Sequence, residues 1–459
     1  MIEWQPFQPQ PQRLGSRAAA LASIRQIGLP TAHDRAAPLF AGTASLIHCD
    51  NCSFVRDLDS SDSADSACPV CRSTLQRTRM IVPQVFTPEG ARALEEDDRE
   101  QDITYATSAQ FPVPVGTSDL PALTKISDNL SYVITPDHKL VTANKGQLIN
   151  DNFQGFWICD KCGSAHTEEP AAGQHPRPYL IEFAFNQPTR PSRQCNGTFQ
   201  NVFLGNVFTT DLLLMRLSIK APIVTDTTDS VVLRTLEDGL YSIAEAVRLS
   251  ASRHPQLDLD PSEFGAGFRI VPAGQDGGLF LDIYLYDTLA GGAGYAELAG
   301  RYLTEILAAA HKLLDECQGG CDRSCETCLR HYHNQHLRDR FDRYVGAQLL
   351  RYALSGTLPA EQSVAAQAVS LSALRRLLEL DGFNCQSVSD FGGVSVPLLV
   401  EKDGKRVAVG LRSGLLDGSW DKHTLNALSL RSGVTVKTLN EYILRRNLPD
   451  EHQFVRALF

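Results

Sequence analysis

Long apolar runs are missing from this 459-residue chain. Its apolar stretches, such as Leu212 to Met215, fall far short of the roughly 20 residues that a bilayer span needs. The N-terminus, Met1 to Arg13, places polar residues and prolines where a secretory signal would carry its apolar segment. We therefore expect a cytoplasmic protein with no membrane partner. An excess of positive charge is missing too: 43 Lys and Arg stand against 53 Asp and Glu, a net charge of -10. The global field repels phosphate, so any nucleic-acid contact must use a local basic face. With 43% hydrophobic and 21% charged residues, the composition excludes a wholly disordered chain, a coiled coil and a collagen. The length corresponds to about three domains of roughly 150 residues each.

Cysteine is the informative residue. Of 12 cysteines, 11 lie in three short clusters, and only Cys385 stands apart. In a reducing compartment such clustering points to metal rather than disulfides. The first cluster is Cys49-x2-Cys52 followed, after 15 residues, by Cys68-x2-Cys71. Two such knuckles bring four thiolates around one zinc and leave no open position for water, the mark of a structural site. The second is Cys159-x2-Cys162 with Cys195 far downstream. Three cysteines and one histidine would close it, and His175 is preferred over His166 as the fourth ligand. The third packs Cys317, Cys321, Cys325 and Cys328 into twelve residues. Cys321-x3-Cys325-x2-Cys328 is also the spacing of radical-SAM iron–sulfur enzymes, but those leave a fourth coordination place open, whereas Cys317 stands ready to fill it. We read three sites for Zn2+, about three ions in all.

Residues 1–48 form an N-terminal segment of uncertain order, 49–120 a zinc-ribbon module with an acidic linker (Glu89 to Asp102), and 121–230 a second zinc-knuckle module. Val202 to Val224 has the mixed pattern of a strand pair. Apolar positions Leu236, Leu240, Ile243 and Val247 recur at helical spacing, predicting a helix from about Leu233 to Arg253. Two extended runs between Phe268 and Asp287, separated by Gly274-Gln275-Asp276-Gly277-Gly278, predict a hairpin. The second run leads into Gly291-Gly292-Ala293-Gly294 and a helix, which is either a tightly packed turn or a backbone cradle for phosphate. After the third cluster, Arg330, Tyr332, His333, Asn334 and Arg343 are candidates for phosphate and base contacts. The same mixture of charges also suits an ordinary helix surface. Residues 357–459 read as a small α/β domain with a helix from Leu371 to Leu380. Its strands Val396 to Val400 and Arg406 to Leu411 flank a turn at Lys402-Asp403-Gly404-Lys405. This order resembles restriction-nuclease-like domains, but Val407 to Arg412 lacks the Glu-x-Lys pair that would hold metal and activate water, so no nuclease activity is expected from it.

The region from Leu233 to Arg343 resembles the MZB family. That zinc-binding domain is found at the C-terminal end of MrfA-type superfamily 2 helicases and in the DrmB subunit of DISARM phage-defence systems. The resemblance rests on Ser242 to Phe264, Tyr286-Asp287 with Gly291 to Tyr295, the four-cysteine cluster and Tyr332 to Arg343. Weaker similarity reaches upstream through Cys159-x2-Cys162 and downstream to Pro449. It implies that Cys317, Cys321, Cys325 and Cys328 bind zinc, and that 231–356 is an MZB-type four-cysteine domain. The expected class is α+β and multi-domain: zinc ribbon and knuckle modules around an α+β MZB-type core, with a small C-terminal α/β domain. Neither a Walker A nor a DExH motif occurs in the chain, so the motor of such helicases is not here. The resemblance then implies a non-catalytic, multi-zinc accessory subunit of a separately encoded superfamily 2 helicase that helps bind DNA in antiphage defence. The alternative is a metal-dependent DNA-processing enzyme, a nuclease or an iron–sulfur enzyme.

Overall fold

The computed structural model describes residues 24–28, 40, 44–52, 54–56, 67–83, 85–88, 120–149, 152–176, 194–273, 277–360, 362–391, 394–417 and 434–459. The acidic linker, most of the N-terminal segment, the spacer between the first two knuckles and the tip of the 274–278 turn lie outside them. No described helix is long and apolar enough to cross a membrane.

Where a strand pair is expected from Val202 to Val224, the chain forms one strand of 21 residues, Phe199–Ile219. Gly205 lies within this strand, where its missing side chain serves packing. A Cβ there would lie 2.1 Å from the sulfur of Met80 on the neighbouring strand. This long strand organises a nine-stranded sheet. Its first residues pair with Phe156–Cys159, its middle and end with Leu130–Asn144, and Leu212 to Ile219 with Leu279–Asp287, all antiparallel. Gln76–Ile81 joins it in parallel at Phe203 and Leu204, bringing Ala44–His48 with it. Segments that sequence separates at 120/121 and 230/231 therefore share one sheet.

The expected hairpin forms from Phe264–Pro272 and Leu279–Asp287. Two glycines on the first strand accommodate tyrosines on the second. A Cβ on Gly265 would sit 2.0 Å from the Tyr286 ring, and one on Gly267 2.7 Å from Tyr284. Overpacking of this kind costs about 1–3 kcal/mol, so Gly265→Ala should lower the urea midpoint by a corresponding amount. An unchanged midpoint would mean that the Tyr286 ring moves aside.

The predicted helix runs from Ser230 to Ser252, capped by the Asp229 carboxylate, which accepts from the Val231 and Val232 N–H groups. Leu236, Leu240, Ile243 and Val247 join one core with sheet residues such as Leu281 and Ile283 and with helices Leu303–Asp315 and Arg343–Ser355. Cys49, Cys68 and Cys71 lie in that same core, so the first metal cluster is built into the main body of the protein.

Residues 357–459 have a second core, made by Leu374, Leu378, Val400, Val407, Val409 and Leu439. Asn384–Phe391, Val394–Lys402 and Lys405–Arg412 form an antiparallel meander, and Thr435–Asn440 lies parallel to the third. The hairpin turn has positive φ at both Asp403 and Gly404, the two-residue geometry that matches strand twist.

Candidate metal centres

Each cluster places four donor atoms within 4.8 Å of one another. A tetrahedral zinc with Zn–S bonds of about 2.3 Å spaces its sulfurs by about 3.8 Å. The observed separations match. They are 3.4 and 3.6 Å for two pairs of the first cluster, 3.7 Å between Cys159 and Cys195, and 3.5 to 3.9 Å for four of the six pairs of the third. Disulfides would need about 2.05 Å. An iron–sulfur cluster, whose cysteines bind different irons, would hold the sulfurs further apart than a single ion does. The donors fit zinc, and the chain offers sites for about three ions.

In the first cluster, Cys49 follows the strand Ala44–His48, and Cys68 begins a tight turn closed by Arg72 at φ 63°. The Cys68 N–H donates to Ser73 O at 2.7 Å, fixing the knuckle. Behind it lies a buried lysine, Lys145, 3.4 Å from His48 Nδ1, 3.7 Å from Asp50 and 4.8 Å over the Phe153 ring. Burial pushes the Lys145 amine below its usual range, opposed by Asp50 and the cysteines. Four thiolates and one Zn2+ sum to -2, and a lysine ammonium here offsets part of that charge.

The second cluster grows from the sheet. Cys159 ends the strand Phe156–Cys159, Gly163 turns at φ 73°, and a short pair sets His175 opposite Cys195. His175 Nε2 stands 3.4 Å from Cys162 Sγ. His166, the other candidate, contacts Ser164 Oγ at 3.0 Å. Gly197 is required by proximity, since a Cβ there would meet Cys159 Sγ at 2.4 Å. The third cluster is the most open, with Cys317, Cys321 and Cys325 half-buried and only Cys328 buried.

The five residues proposed from sequence to meet nucleic acid sit close to the third cluster, but not as one surface. Asn334 is buried, donating to Leu329 O at 2.8 Å and accepting from the His331 N–H at 2.9 Å. Arg343 is buried and donates to Leu314 O at 2.9 Å and Asp315 O at 3.2 Å. These two correct the expectation: Asn334 spends its hydrogen bonds on the backbone just after the cluster, and Arg343 on the backbone just before it. Arg330 donates to Ser324 Oγ at 2.8 Å, and Tyr332 stands 72% exposed. His333 lies in the same turn.

The glycine-rich turn is the packed alternative, not the phosphate cradle. Asp287 accepts from the N–H groups of Ala293, Tyr295 and Ala296 at 2.6, 3.0 and 2.7 Å, taking the donors a phosphate would use. Sequence reasoning missed the charged side chains inside the long helix. Glu245 is buried against Arg248 and accepts from His331 at 2.7 Å. Burial alone would push its carboxyl up, but Arg248 and His331 hold it down at about 2. Glu237 and Asp238 receive Arg340 at 2.6 and 2.9 Å. Charges interrupting an apolar helical repeat were the available signal.

Residues 256–329 match the MrfA Zn-binding domain, MZB. The match takes in the hairpin and the third cluster. Over 431 residues, 93% of its length, the chain is 46% identical to Druantia protein DruE of Escherichia coli (strain UMEA 4076-1), and it spans 23% of that protein's length. Among solved structures it is similar to the DUF1998 helicase MrfA bound to DNA, at 14% identity and a TM-score of 0.31, covering 54% of this chain and 25% of that one.

Proposed function

With an MZB domain at residues 256–329, we propose that this chain is a non-catalytic, multi-zinc module that serves a superfamily 2 helicase motor and helps hold DNA in phage defence. One observation carries the non-catalytic part of the reading: each of the three metal clusters supplies four protein donors, which leaves no coordination place for a water or substrate. The identity to a Druantia protein over 431 residues supports the defence role, and directs it to a Druantia-type rather than a DISARM-type system. Because the chain spans about a quarter of that relative, the motor is sought in the natural assembly, whether on the same polypeptide or on a separate one.

Zinc would be held by Cys49, Cys52, Cys68 and Cys71, by Cys159, Cys162, His175 and Cys195, and by Cys317, Cys321, Cys325 and Cys328. Its chemistry there is to cross-link loops. The residues around it then orient a surface: Arg330 is held by Ser324, and Tyr332 projects outward. A stacked base is worth about 1–3 kcal/mol, so Tyr332→Ala in the assembly should weaken single-stranded DNA binding by about tenfold with zinc content unchanged. Equal affinity would remove Tyr332 from the interface. The reading as a whole is tested by tagging the protein in its native host and identifying what copurifies. Recovery of a superfamily 2 helicase in stoichiometric amount supports it. A protein recovered without any motor, or one that cuts DNA with Mg2+ or Mn2+, overturns it.

A further inference from the structure

The short helix Glu441–Arg446 belongs to the C-terminal domain, yet its charged side chains reach into the MZB region. Arg445 donates to both oxygens of Asp342, at 3.2 and 3.1 Å, and its guanidinium lies 5.0 Å over the ring of Tyr344. Arg343 covers the same ring at 4.1 Å, and donates to the Tyr344 hydroxyl at 2.8 Å. That hydroxyl in turn donates to the carbonyl of Cys321, a residue of the third cluster, at 3.2 Å. Beside this chain of contacts, Arg446 pairs with Asp238 and donates to Asp339 O, and the Tyr442 hydroxyl donates to Asp238 at 2.7 Å. The segment 339–344 is itself tied to the cluster, because Arg343 N–H donates to Arg323 O at 2.9 Å, and Arg323 donates to Asp339 O at 3.3 Å.

One short segment, 339–344, thus has the metal cluster on one side and the C-terminal helix on the other. We infer that zinc in the third cluster controls the docking of helix Glu441–Arg446 on the MZB region. Without the ion, the carbonyls of Cys321 and Arg323 keep only their hydrogen bonds from Tyr344 and Arg343, and the segment that carries Asp342 and the Asp339 carbonyl, which Arg445 and Arg446 grip, loses its support from the cluster. The C-terminal domain keeps its own core, so it stays folded when this contact loosens. The half-buried cysteines make the third cluster the most accessible of the three. The inference requires zinc at that cluster but not the helicase reading.

The test is hydrogen–deuterium exchange on the full chain with zinc counted by mass spectrometry. Cys325→Ser should lose one zinc and raise exchange in 441–446 at least tenfold, while strands 394–412 keep their protection. Cys162→Ser should lose one zinc and leave 441–446 unchanged. Coupling between sites is reciprocal. Arg445→Met, which touches no metal donor, should therefore weaken zinc binding at the third cluster by about fivefold or more in chelator competition, and this arm stands even if Cys325→Ser misfolds. Unchanged exchange in Cys325→Ser, or unchanged zinc affinity in Arg445→Met, overturns the proposal.

Discussion

Cys68→Ala is expected to yield a protein with two zinc ions in place of three and without a cooperative melt of the main core. Cys68 is fully buried, and packs in the core that also holds Leu217, Leu236 and Leu281. Structural zinc contributes on the order of 10 kcal/mol to a small module, as much as the whole net stability of a typical domain at about 5–15 kcal/mol. The knuckle is also bolted to the start of the long helix, since Thr227 Oγ1 donates to Val70 O at 2.6 Å. Loss of the first ion therefore propagates into the helix and the sheet. The contrast is with Cys325→Ser, whose half-buried cluster lies at the edge of that core and whose effect reaches helix Glu441–Arg446 but leaves the main core folded. Zinc analysis and calorimetry on the two variants decide the matter. Three ions retained in Cys68→Ala would show the ligand set to be wrong.

Much of the metal chemistry was legible because short-range cysteine spacing leaves few geometries. The spacing of Cys49, Cys52, Cys68 and Cys71 picks out the same four residues that the chain brings together, as does that of the third cluster. His175 was separable from His166 only by position, and the structure sets it beside Cys162 because a two-residue strand pair forms across 17 intervening residues. No local pattern announces that pair. The long helix and the hairpin were readable for the same reason as the knuckles, since each is set by neighbours a few residues apart. The sheet was not. Leu130–Asn144 and Phe199–Ile219 pair across more than 50 residues, and a strand buried on both sides carries no clean alternation. The surface reading of Asn334 and Arg343 failed because polar side chains are equally suited to bonding backbone carbonyls inside a turn-rich segment. Only the burial of that segment decides between the two uses.

Asp282→Ala is the second large effect we expect, a loss of about 3–5 kcal/mol with all three zinc ions retained. Asp282 is fully buried and bridges three adjacent strands. Arg216 on the long strand donates to its two oxygens at 2.7 Å each, and Arg269 donates from the other side at 2.8 Å. Asp282 and Arg269 lie within residues 256–329, whereas Arg216 belongs to the long strand, which pairs with the strands beside the first two clusters, so this carboxylate fastens the MZB hairpin to the rest of the sheet. Removing it takes from two guanidiniums the carboxylate they share in a place with little access to water, and breaking a buried ion pair costs more than the pair had contributed. The same reasoning gives a sharper test. If the loss comes from stranded charge, then replacing all three residues by apolar side chains, Arg216→Met with Asp282→Leu and Arg269→Met, should restore most of it, as measured by denaturant midpoints. A triple variant as unstable as Asp282→Ala would instead mean that the ion triad sets the strand register, and that the hairpin slips when it is gone.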